Sequence, residues 1–170
     1  MGETKILAFI GKGGVGKTVL SAIAGKIFIN KGKRVLFVDA DPAMGLATAH
    51  NVENHKTIGM AREEIIKNTK TANSKEEKDG LPDMIDYLLM EALYEGPEFS
   101  MIIMGQTDSL GCFCPVNKLL RGTISSIASN YEIVIIDAEA GFEQVNRQVI
   151  EKVQYPIIIS DNTVRGITPP

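Results

Sequence analysis

One run of residues constrains this chain more than any other. Gly11-Lys12-Gly13-Gly14-Val15-Gly16-Lys17-Thr18 fits G-x-x-x-x-G-K-[ST] at every fixed position. An apolar run, Lys5–Ile10 (KILAFI), precedes it, and a segment of helical character, about Lys17–Lys31, follows. A strand, a glycine-rich turn and a helix in that order converge backbone N–H groups and the positive end of a helix dipole on one point. Phosphate is what such a point attracts. The glycines are needed because a Cβ would keep the backbone away from the phosphate oxygens. Lys17 is then placed to reach β- and γ-phosphates, and the Thr18 hydroxyl to ligate Mg²⁺. Gly11, Gly13, Gly14, Val15, Gly16, Lys17 and Thr18 are the candidate nucleotide-binding residues.

Four further apolar runs repeat the strand signal: Arg34–Asp39, Met101–Gly105, Glu132–Asp137 and Pro156–Asp161. They are nearly continuous in Ile, Val, Leu and Phe rather than alternating, as strands are when helices cover both faces of a parallel sheet. Further candidate helices lie at about Ile58–Lys67, Pro82–Leu93, Pro115–Ser129 and Phe142–Val153. This order predicts an α/β fold, a doubly wound and mainly parallel sheet with helices on both faces.

The 170 residues suit a single domain spanning 1–170. The polar stretch Asn68–Gly80 is expected to be a mobile surface loop or a frayed helix extension. The chain stops at Thr168-Pro169-Pro170, soon after a strand that needs a covering helix. We therefore expect a shortened domain lacking its C-terminal part. No apolar run reaches the roughly 18 residues of a membrane span, and no leader pattern opens the chain. A cytoplasmic protein without a membrane partner is expected. The net charge of −3 offers no basic field for nucleic acid.

Lys12 is not required by an ordinary phosphate loop. In K-G-G-V-G-K-T it resembles the signature lysine of the deviant phosphate-loop ATPases, among them the MinD and ParA partition proteins, the arsenite-pump ATPase and nitrogenase iron protein. The resemblance implies a homodimer in which Lys12 reaches the partner's nucleotide, much as an arginine finger does. A solvated lysine is the plain alternative.

Asp39-Ala40-Asp41-Pro42 closes the second strand and Asp137 the fourth. In α/β folds the carboxyl ends of the strands form the ligand crevice, where carboxylates hold Mg²⁺ or position water. A lone Asp there is more often a turn former or a cap. The resemblance makes Asp39–Pro42 similar to switch I, and Asp137–Gly141 similar to the Walker B and switch II segment. It implies Asp41 as the residue positioning attacking water and Asp137 as the ligand of a Mg²⁺-bound water, with Asp39 able to share either role. The implied catalytic set is Lys12, Lys17 and Asp41.

Cys112 and Cys114 flank Phe113 and precede Pro115. At this spacing both thiols lie on one face of extended backbone, or converge on one ion in a turn. Two thiolates are too few for a closed tetrahedral site, but a symmetric dimer supplies four. Buried filler, a local disulfide and an intermolecular disulfide stand as alternatives. The run Gly111–Arg121 together with Asp137-Ala138-Glu139-Ala140-Gly141-Phe142-Glu143 resembles the CooC-type nickel-insertion ATPases that serve carbon monoxide dehydrogenase, with relatives serving acetyl-CoA synthase. The resemblance covers most of residues 5–165. It implies an ATP- and Mg-dependent dimer holding one Ni²⁺ or Zn²⁺ through Cys112 and Cys114 of both chains, with a nickel enzyme as client. A MinD- or ParA-like positioning switch is the second reading. An iron–sulfur ATP-dependent reductase is the third; in nitrogenase iron protein a second cysteine follows the Walker B aspartate, and none follows Asp137. His50 and His55 are expected to be solvated, and Met84, Met90, Met101 and Met104 to fill the core.

Overall fold

The computed structural model describes residues 3–71, 81–106, 122–138 and 153–161. It opens with β1 (Lys5–Gly11), α1 (Lys17–Asn30), β2 (Val35–Asp39), a short α2 (Gly45–Ala49) and α3 (Ile58–Thr71). Then come α4 (Leu81–Glu91), β3 (Leu93–Glu95), β4 (Ser100–Ile103), helix α5 over residues 122–128, β5 (Ile133–Asp137) and β6 (Tyr155–Ile159). The strands form one sheet in the order β3-β4-β2-β5-β1-β6. All neighbours are parallel except β3 and β4. The expected α/β architecture, a mostly parallel sheet between helices, is the observed one.

The residue pattern explains the layering. Successive strand side chains alternate between faces, and both faces here are apolar. Ile6, Ala8, Leu36, Val38, Ile102, Val134 and Ile136 pack under α3, α4 and α5, which contribute Ile58, Ile65, Leu88, Leu89 and Ile124. Phe9, Val35, Phe37, Met101, Ile133 and Ile135 face the other way, towards α1 and α2. Helix α1 lies close enough that a Cβ on Gly25 would stand 2.0 Å from Phe37 Cζ. Gly25 therefore sets the depth at which α1 sits on the sheet.

β5 separates β1 from β2, so the chain leaving β1 must pass over a strand that forms much later. That reversal opens a crevice at the carboxyl ends of these strands. Phe9 and Asp39 both stand in register with Asp137. The glycine-rich turn after β1 and the two aspartates therefore share one edge of the sheet.

Several expectations need adjustment. Helix α3 runs to Thr71, into the Asn68–Gly80 stretch expected to be a mobile loop or a frayed helix extension, and residues 72–80 lie outside the described set. The third predicted strand ends at Ile103 rather than Gly105. Gly105 takes φ +68, and a Cβ there would stand 2.7 Å from Thr57 Oγ1, so the chain turns at that point. The antiparallel β3 was not expected. It has only three residues, and its turn closes through a Gly96 N–H to Phe99 carbonyl bond of 2.9 Å. Met101 and Met104 are core residues, but Met90 is 53% exposed. The first part of the predicted Pro115–Ser129 helix, and Phe142–Val153 apart from Val153 itself, lie outside the described residues. No helix among the described residues is long and apolar enough to cross a membrane.

Candidate functional site

The turn after β1 is shaped by backbone conformations that only glycine takes cheaply. Gly11 has φ +148, and a Cβ there would meet the Ile159 carbonyl oxygen at 2.1 Å. Gly16, the N-cap of α1, is left-handed at φ 91 and makes no side-chain capping bond. The first turn of α1 carries no acidic residue. The helix thus begins with N–H groups uncapped by any side chain and with an unopposed dipole, which together favour an anion.

Lys17 is buried, and its ammonium donates to the Lys12 carbonyl oxygen at 2.9 Å. That bond folds the side chain along the loop it serves. The Lys12 side chain, one residue into the loop, is exposed. Gly13 and Gly14 have open space where a Cβ would point.

The two aspartates on neighbouring strands differ in what they hold. Both are fully buried. Asp39 accepts the Ala47 N–H at 2.9 Å through Oδ2 and the Asp41 N–H at 3.2 Å through Oδ1. Its carboxylate therefore organises the segment that follows it. Burial pushes its pKa up to about 6, against the lowering effect of those two N–H groups, with Asp137 and Asp41 adding to the rise. Asp137 is also raised, chiefly by burial, while the Thr18 hydroxyl and Lys17 pull it back. Ser21 donates toward Asp137 Oδ1 at 3.4 Å and to the Lys17 carbonyl at 2.9 Å. Among the described residues, Asp137 Oδ2 is buried and has no hydrogen-bond partner. A buried carboxylate oxygen left unpaired is costly, and a Mg²⁺-bound water beside Thr18 would satisfy it. The hydroxyl-plus-carboxylate donor set fits Mg²⁺, which takes few protein ligands and keeps its waters.

Asp41 is half-buried at the mouth of the crevice. Its Oδ1 accepts the Ala43 N–H at 2.9 Å, and its carbonyl accepts the Met44 N–H at 2.9 Å. The turn delivers the chain to Met44 at φ 52 and then to α2. A Cβ on Gly45 would lie 3.5 Å from the Thr18 methyl and hydroxyl, so α2 starts close beside the candidate Mg²⁺ ligand.

Lys17, Thr18, Asp39, Asp41 and Asp137 are thus brought to one edge. Cys112 and Cys114 lie outside the described residues. Among the described residues no group of three or more His, Cys, Asp or Glu is arranged to hold a metal ion. Two contributors were not found from sequence. Ser21 is one turn beyond Lys17, a buried hydroxyl within the apolar run from Val19 to Ala24, and that i+4 spacing was the available signal. The Ala47 N–H leaves no trace in residue identity. His50 and His55, expected to be solvated, are half-buried. His50 lies between Phe37 and Phe99, at 4.5 and 4.8 Å between ring centres, and burial lowers its pKa. His55 packs edge-on against Tyr94 at 5.7 Å. Aromatic neighbours make each imidazole a packing group here.

A glycine loop between strand and helix, with two buried carboxylates beside it, defines a phosphate-loop ATPase fold of MinD/ParA type. The chain belongs to the AAA_31 family (AAA domain), which it matches over residues 4–168. An ATP-binding protein of Methanocaldococcus jannaschii, MJ0685, is 38% identical over 168 residues, 95% of this chain and 64% of that protein. The carbon monoxide dehydrogenase accessory protein CooC of Rhodospirillum rubrum is 29% identical over 173 residues, again 95% of this chain and 64% of that protein. The Mg-ADP complex of septum site-determining protein MinD from Pyrococcus horikoshii OT3 superposes with a TM-score of 0.61. That match has 19% identity and covers 96% of this chain and 60% of that one. The chain therefore spans under two thirds of these relatives' length.

Proposed function

We propose that the chain is an ATPase domain that loads metal into a nickel enzyme. Backbone N–H groups of Gly13 to Thr18 and the Lys17 ammonium bind the triphosphate. Thr18 and Asp137 hold Mg²⁺, the latter through water. Asp137 Oδ2, buried and without a hydrogen-bond partner among the described residues, is the observation that carries the nucleotide half of the reading. Asp41, at the crevice mouth, positions the attacking water. Bound Mg²⁺ neutralises charge on the phosphates. Lys12 acts on the nucleotide of a second copy, and its side chain's exposure supports that role.

The metal half rests on the C-x-C pair, Cys112 and Cys114, and on the similarity to CooC. Four thiolates across a two-fold axis suit Ni²⁺ or Zn²⁺ as cargo. ATP binding and hydrolysis would alternate holding and delivery, with carbon monoxide dehydrogenase or acetyl-CoA synthase as the client class. A MinD- or ParA-like switch is the second reading, favoured by the superposition on MinD.

Anaerobic metal stoichiometry with molar mass separates the two. The whole chain is loaded with Ni²⁺ or Zn²⁺ and compared with Cys112→Ser. One metal per two chains, lost together with metal-linked dimerisation in the variant, is the expected result. No thiol-dependent metal would leave the ATPase standing and make the positioning switch the better reading.

A further inference from the structure

The outer side of α2 forms one wall of a cleft of about 720 Å³ that the nucleotide reading does not use. Met44, Ala47 and Thr48 make that wall, Met60 and Glu63 of α3 face it, and Ile103 at the end of β4 lines it too. Val52, Glu53, Asn54 and His55 close one side, and Gly105 and Gln106 the other. Its apolar groups are Ala47, Val52 and Ile103, all buried, and two methionines that remain 38% and 58% exposed at Met44 and Met60. Methionine is unbranched and polarisable, which suits a surface that must adapt to an incoming side chain. Among the described residues the charged carboxylates of the lining are Glu53 and Glu63, both exposed, and no described lysine or arginine lines the cleft.

The same α2 hangs from the nucleotide edge. Its Ala47 N–H is held by Asp39 Oδ2, and its first residue, Gly45, lies against Thr18. The turn that leads to it is built on Asp41. Anything that moves Thr18 or Asp41, as Mg²⁺ and a triphosphate would, moves one wall of the cleft.

We propose that this cleft docks a short basic and apolar segment of a partner protein, and that nucleotide at the phosphate loop alters its affinity. The coupling, though not the docking itself, rests on the nucleotide reading above. Apolar side chains of the segment enter between Met44 and Met60, and its cationic groups meet Glu53 and Glu63. The two carboxylates select against acidic segments by like-charge repulsion.

The test uses the whole chain and a fluorescein-labelled alternating peptide, (Leu-Lys)4, titrated by fluorescence anisotropy, with (Leu-Glu)4 as the charge-reversed probe. The basic peptide should bind at least ~10-fold more tightly than the acidic one. The double variant Glu53→Lys with Glu63→Lys, and separately Met60→Asp, should each lose about 10-fold in affinity while melting like the parent. These side chains are exposed, so folding is not at stake. Equal binding of the two peptides, or full binding by both variants, overturns the docking site. Saturating Mg-ATP, its binding verified with a fluorescent ATP analogue, should change peptide affinity by ~5-fold or more. ATP bound with peptide affinity unchanged overturns the coupling and leaves the nucleotide reading intact. Failure of the analogue to bind overturns the nucleotide reading and the coupling together, and the peptide titrations still decide the docking site.

Discussion

Asp39 and Asp137 stand in register on adjacent parallel strands, both fully buried, yet they serve different masters. Asp39 has both oxygens engaged by backbone N–H groups of its own following segment. Asp137 has one oxygen toward Ser21 and the other unpaired among the described residues. One is an anchor for backbone and the other is open to a ligand, a division that residue type alone could not make.

That division predicts unequal responses to Mg²⁺. Asp137→Asn should weaken the Mg²⁺-dependent part of ATP binding on the order of 10–100-fold, the range for a group that acts through a metal's outer shell. Ser21→Ala should weaken it less, since the Ser21 bond is long at 3.4 Å. Titrations of a fluorescent ATP analogue with and without Mg²⁺ read both. An effect of Ser21→Ala equal to that of Asp137→Asn would sink the ordering.

Asp39 makes the fold pH-dependent in a definite direction. Its folded pKa, about 6, lies above the ordinary 3.8, so the folded state binds more protons between those values. Stability from this group is therefore highest below pH ~4 and falls as pH rises through about 6. The loss totals a few kcal/mol, at about 1.4 kcal/mol per unit. Asn at this position cannot titrate. The melting temperature of Asp39→Asn minus that of the parent, measured in EDTA, should rise from pH 5 to pH 7. A difference independent of pH would contradict the assignment.

Lys17 and Lys12 should separate binding from assembly. Lys17→Ala removes a buried ammonium from the phosphate site and should cost about 2–5 kcal/mol of ATP affinity. Lys12→Gln should leave the affinity of one chain for ATP within a few-fold, because the Lys12 side chain is exposed. It should instead impair ATP-dependent self-association, read as elution volume in gel filtration. Retained ATP affinity in the first variant, or unchanged self-association in the second, would count against the roles proposed.

Gly25 offers a stability test away from the nucleotide. Alanine gains about 1 kcal/mol over glycine in a helix. Here its Cβ would stand 2.0 Å from Phe37 Cζ, on a ring with no exposed surface. Overpacking costs about 1–3 kcal/mol and more where the neighbour cannot yield. Gly25→Ala should therefore lower the urea midpoint. A stabilised variant would show that α1 can lift from the sheet without penalty.

The sequence by itself determined the strand–turn–helix at Gly11 to Thr18, because fixed residue types at fixed spacing are what a backbone phosphate cradle demands. It also determined the layered sheet, since continuous apolar runs can be buried only with helices on both sides. Local patterns fail where a residue's role is set by what lies across the fold. Asp39 and Asp137 read alike as strand-ending aspartates. They part company only because β5 inserts between β1 and β2 and brings Ser21 to one carboxylate and the Ala47 N–H to the other. His50 and His55 sit in a polar stretch, and tertiary packing against Phe37, Phe99 and Tyr94 half-buries them. The cleft walled by α2 needs α2, α3 and the end of β4 to converge, elements up to about sixty positions apart in the chain. Only the tertiary structure could create it, because a cleft belongs to the space between elements and no single segment encodes it.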